Sequence, residues 1–152
     1  MNTSRTISSS LAAAALAATL AACGGGSAHH LSKESFIKQA DAICLKGSAA
    51  QSALSQPSSS TQLPGYVKRI YAIERGVVSD VRALTPPSGD RAAVSSMLDN
   101  VDKALAFESN VEAAAATGNQ SQINDAQAMG AKYLNQANTA AARYGFKACG
   151  NT

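Results

Sequence analysis

This sequence predicts an all-α protein built as an antiparallel up-down four-helix bundle. Three observations carry that prediction. Apolar residues return every three or four positions in four successive stretches, the spacing of one helix face. Clusters of Pro, Gly, Ser and Thr separate the stretches. Alanine supplies much of the 45% hydrophobic content, aromatics are only 5% and Trp is absent, a balance that favours helix over strand. At 152 residues, one domain is the expectation, here over residues 32–152.

Helix one starts after Ser32, a suitable N-cap, and carries Phe36, Ala40, Ile43, Gly47, Ala50 and Leu54 on one face. The breaker-rich segment from Ser55 to Thr61 ends it. Helix two opens at Leu63-Pro64, with Pro64 suited to the first turn, and places Val67, Ile70, Ile73, Val77, Val81 and Leu84 together. Thr85-Pro86-Pro87 stops it. Ser88 or Asp90 caps helix three, whose inner edge is Val94, Leu98, Val101, Leu105, Glu108 and Val111 or Glu112. Thr117-Gly118-Asn119 punctuates, with Gly118 past the end and Asn119 or Ser121 as the next cap. Helix four runs from about Gln122 to Tyr144 with Ile123, Ala126, Gly130, Tyr133 or Leu134, Ala137 and Ala141 inward. Gly145 ends it, and a short tail carries Cys149. Short loops between helices of this length favour the up-down arrangement. The stripes of helices one and four are rich in Ala and Gly, which reads as unequal packing within one core or, alternatively, as a groove.

Ahead of the helices, residues 1–22 have the pattern of an export signal: a polar head with Arg5, then an uncharged run from Leu11 to Ala22. Those 12 residues cover roughly 18 Å as helix, short of the roughly 30 Å hydrocarbon core. Leu20-Ala21-Ala22-Cys23 closely resembles the lipobox of bacterial lipoproteins. That resemblance implies cleavage before Cys23 and attachment of a diacylglycerol to its thiol. Two acyl chains suffice for stable anchoring. Residues 23–31 are then the lipidated Cys and a flexible tether, opening with Gly24-Gly25-Gly26-Ser27.

With Cys23 assigned to lipid, Cys44 and Cys149 remain, 105 residues apart. Two leftover cysteines in an exported chain suggest one disulfide, the alternatives being free thiols or a metal pair. Three further blocks carry a second resemblance: Phe36-Ile37-Lys38-Gln39-Ala40-Asp41-Ala42-Ile43-Cys44, Leu84-Thr85-Pro86-Pro87-Ser88-Gly89-Asp90, and Tyr144-Gly145-Phe146-Lys147-Ala148-Cys149. In them the chain resembles an uncharacterised helical lipoprotein family of high-GC Gram-positive bacteria. The resemblance implies helices and a bridge between the two cysteines, and it carries no catalytic residue.

The constellations that would support chemistry are sparse. His29 and His30 are the only histidines and both fall in the tether, so no His is available to a di-iron, haem or Ser-His-Asp arrangement in the helices. No metal ligand set or cofactor is expected. Asp99 with Asp102, and Glu108 with Glu112, are carboxylate pairs of the kind that solvated helix faces produce. Glu108 interrupts an apolar stripe and suits an ion pair with Arg75 or Arg143, or a place at the core boundary. Asp41 stands one turn from both Lys38 and Cys44. A balance of 13 basic and 10 acidic residues, scattered singly, gives no nucleic-acid patch. The expectation is therefore a non-enzymatic lipoprotein on the extracytoplasmic face of the cell membrane. It would act as a binding or interaction module with a possible envelope protein partner, the alternative being a carrier of a small apolar ligand between the helices.

Overall fold

In the computed structural model the described residues are 30–150, and every regular element among them is helical. The expected signal (1–22), Cys23 and the tether up to His29 lie outside the described residues. The elements are α1 (Lys33–Ser52), α2 (Leu63–Ala83), α3 (Arg91–Leu105), α4 (Glu108–Thr117) and α5 (Gln120–Tyr144), with single 3-10 turns at Ser60–Gln62 and Ser88–Asp90. None of the described helices is long and apolar enough to cross a membrane.

Cap chemistry sets most boundaries. The Ser32 hydroxyl accepts from the Ser35 amide, and the Asn119 side chain accepts from the Gln122 amide. Gly118 and Gly145 follow α4 and α5 with φ of 68° and 114°, values that only glycine adopts at little cost. Asp90 holds the N-cap position of α3 without capping it; its carboxylate instead accepts from the Tyr144 hydroxyl at 2.7 Å.

The stretch expected as helix three is present in two pieces. After Leu105 the Phe107 amide reaches back to Ala104 rather than to residue 103, and a new helix starts at Glu108. Nothing in Ala106-Phe107 resists helix; the bend answers to neighbours. Gly130 of α5 lies so close that a Cβ there would stand 3.3 Å from the Ala104 carbonyl oxygen, and Phe107 stacks on Tyr133. The bend lets α3 pack on α5 while α4 packs on both α5 and α2. A second close approach joins α1 to α2: a Cβ on Gly47 would collide with the Val77 side chain.

The tail after α5 folds back onto α1. Cys44 and Cys149 are joined, with their Cα atoms 5.3 Å apart. Asp41, one turn from Lys38 in sequence, finds its partners in the tail. Its carboxylate accepts the backbone N–H groups of Lys147, Ala148 and Cys149 at 2.9–3.2 Å. Phe36, wholly buried, meets the rings of Tyr144 and Phe146 at 6.0 and 5.9 Å between centroids, and Lys33 lies over Tyr144. The last two residues of the expected tether are docked here too. Leu31 donates its N–H to the Thr85 carbonyl, and His30 contacts the Pro86 carbonyl and Arg91. The three blocks of the sequence resemblance thus converge on one end of the molecule.

Two measurements test this junction. Asp41→Ala strands the half-buried Ala148 and Cys149 donors and is expected to cost about 1–3 kcal/mol. Loss of the bridge releases a 105-residue span and is expected to cost about 4–5 kcal/mol on loop-closure entropy. Because both tie the same segment, the combined loss should fall short of the sum in a urea-unfolding cycle of the four species.

Candidate functional site

The core is divided. One buried cluster gathers Phe36, Ala40, Val81, Leu98, Ala141 and Phe146 with their neighbours near the tied end. A second holds Val111, Ala114, Ala115, Ile123 and Ala126, with Leu63, Val67 and Tyr71 against it. Between the two lies a cavity of about 690 Å³, reached by residues of all five helices and by Cys149 and Gly150 of the tail. The helices pack in chain order, α1 on α2, α2 on α3 and α4, and these on α5, whereas α1 and α5 do not pack along their lengths. Ser52 of α1, with Gln127 and Ala131 of α5, lines the cavity yet stays exposed, so the opening falls on that side.

Apolar side chains of α2, α3 and α5 that would be sealed in a filled core are only half-buried here. Val67, Ile70, Val77, Val101, Leu105 and Leu134 all face the cavity in that state. On α5, buried Ala137 and Ala141 are small side chains on the cavity wall, whereas the space beside Gly130 is taken up by the close approach of Ala104. On α1 the buried line runs Phe36, Ala40, Cys44 and Gly47, and continues to half-buried Gln51, whereas Ala50 is exposed. Of the two readings of the small-residue stripes, the groove describes the middle of the molecule and dense packing describes its tied end.

Among the described residues one charged side chain lies on the cavity wall, Glu74 of α2, and no Lys or Arg lines it. The Gln51 amide donates to a Glu74 carboxylate oxygen at 3.2 Å. Burial pushes Glu74 above the usual carboxylate range, the Gln51 hydrogen bond opposes this, and the Glu108 charge adds to the rise. Burial likewise raises Tyr71, with Glu74 and then Glu108 adding to it. Glu108 itself is 3% exposed and is paired with Arg75, whose side chain reaches in from solvent. Of the options that the sequence leaves, Arg75, Arg143 or an unpaired place at the core boundary, Glu108 takes the pairing with Arg75.

The other sequence candidates fall elsewhere. Asp99 and Asp102 are exposed and share Arg82 at 3.9 and 2.7 Å. His30 is at the tied end, and Cys23 and His29 lie outside the described residues. No cluster of three metal-ligating side chains occurs among the described residues. Glu74, Gln51 and Tyr71 did not stand out in the sequence. The available signal was spacing: Glu74 is four residues after Ile70 and three before Val77, inside the apolar stripe rather than opposite it.

No protein-family model, curated protein or solved structure matches this chain.

Two outcomes follow from the buried acids. Protonated Glu74 supports the fold below the ordinary carboxylate pKa, and that support is lost as pH rises through its raised folded value. Glu74→Gln cannot ionise, so it should match the parent near pH ~4 and melt higher near pH ~7, as read by thermal unfolding across that range. Arg75→Ala leaves the Glu108 carboxylate buried and unpaired, at an expected cost on the order of 1–3 kcal/mol, and adding Glu108→Gln should restore most of it.

Proposed function

We propose that this protein is a membrane-anchored envelope lipoprotein, held by Cys23 on the extracytoplasmic face of the cell membrane. Its helical domain is a non-enzymatic binding module that takes one small apolar ligand between its helices. The observation that carries this reading is the cavity of about 690 Å³ at the centre of the domain. That volume is in the range of small-molecule sites, which are concave, mainly apolar and furnished with few polar groups. In this reading the helices alternate direction as an up-down bundle whose fourth side, between α1 and α5, stays open as the entrance. The lipobox residues Leu20-Ala21-Ala22-Cys23 support the anchor, and the Cys44–Cys149 bridge suits an oxidising compartment. A protein-docking role has less to draw on. The large apolar side chains exposed among the described residues are Leu45 and Met129, on different helices.

The mature chain should bind a fluorescent apolar probe such as N-phenyl-1-naphthylamine saturably and at one site per molecule. Filling the cavity with Ser48→Phe plus Ala131→Phe should abolish the signal while the helical circular-dichroism spectrum is kept. Probe fluorescence that does not saturate, or that survives the filled variant, would overturn the reading. Intact mass of protein taken from membranes tests the address. It should show a diacylated Cys23, with two further thiols alkylated only after reduction.

A further inference from the structure

We infer that the cavity selects amphiphiles with a cationic head and that Glu74 is the residue that receives the head. This rests on the ligand-binding reading above and specifies its ligand class. The geometry has three parts. The wall is apolar over most of its surface, with Val67, Ile70, Val101 and Leu134 offering a bed for a hydrocarbon body. Into that wall a single carboxylic acid is set, and among the described residues no basic side chain accompanies it. Gln51 supplies Glu74 with one hydrogen bond, where a carboxylate can accept about four, so it retains capacity for an ammonium donor.

The surroundings reinforce the sign. The one cation beside Glu74 in sequence, Arg75, is engaged by Glu108, and Glu108 in turn disfavours charge on both Glu74 and Tyr71. Two carboxylates thus stand in this corner against one guanidinium, which Glu108 holds, and that balance leaves a negative excess on the cavity side. A carboxylate or phosphate head would meet that excess with no Lys or Arg on the wall to neutralise it. An ammonium head would relieve it, and the rings of Tyr66 and Tyr71, also on the wall, offer faces that attract a cation. Charge complementarity of this kind discriminates among ligands that share the same apolar body.

Three twelve-carbon probes separate head from tail: dodecylammonium, dodecanol and dodecanoate, each titrated against bound N-phenyl-1-naphthylamine on the mature chain. Dodecylammonium should displace the probe at a concentration roughly tenfold below that of dodecanoate, with dodecanol between them. In Glu74→Gln the two charged probes should fall within about threefold of each other while dodecanol is unmoved. The ranking in the unmodified protein stands whether or not the variant folds. Equal displacement by all three, a preference for dodecanoate, or a cationic preference that persists in Glu74→Gln would overturn the role of Glu74 and leave the apolar cavity in place. Failure of all three probes to displace, with no saturable binding of the naphthylamine itself, would overturn both.

Discussion

The Asp41 carboxylate, set against the backbone of residues 147–149 beside the Cys44–Cys149 bridge, is the constraint on which the rest depends. With α1 packed mainly on α2, and α5 mainly on α3 and α4, the first and last helices are free to part. Here α1 and α5 are separated along most of their length, so the junction must come from the tail. A charged acceptor facing three successive N–H groups holds the tail's path alongside the bridge, and the Ala148 and Cys149 donors are half-buried. The bridge then makes that path permanent. Around it Phe36, Tyr144 and Phe146 form the densest aromatic contact in the molecule.

That junction explains how a small domain sustains a gap in its middle. Unfilled space forfeits dispersion contacts and destabilises a core in proportion to its size. The chain meets this by concentrating its bulky packing at the tied end, by a second cluster around Ile123 and Val111, and by a covalent link that limits the unfolded ensemble. The acid on the cavity wall adds to the cost, since burial opposes its ionisation and a single amide favours it. Sites of this kind, costly to the fold and cheap to replace by neutral groups, are where binding function is expected to sit.

The features legible in the sequence are those encoded locally. Periodicity placed the helices, and Ser32, Asn119, Gly118 and Gly145 marked ends through interactions spanning only a few residues. The count of cysteines anticipated the bridge. What was not legible depends on partners far along the chain. The bend at Ala106-Phe107 is imposed by Gly130 and Tyr133. Asp41 looks like half of a surface ion pair until residues 147–149 are brought to it. The cavity is hardest of all, because an apolar stripe has the same spacing whether it faces another side chain or empty space. Glu74 was masked by its neighbour Ile73, which gave the α2 stripe an apolar alternative at almost the same angle.

The docking of His30 and Leu31 on the Thr85-Pro86 turn fixes where the preceding chain enters the domain. That entry point adjoins Asp90, Tyr144 and the aromatic cluster, so it belongs to the end already held by a covalent bond. Tension transmitted from the N-terminal side would be carried as shear through Leu31 into the tied end. It would reach the two rims of the α1–α5 opening only through the ends that the junction holds together, the first turns of α1 and Tyr144 at the end of α5. A domain hung in this way can be pulled without being pried open.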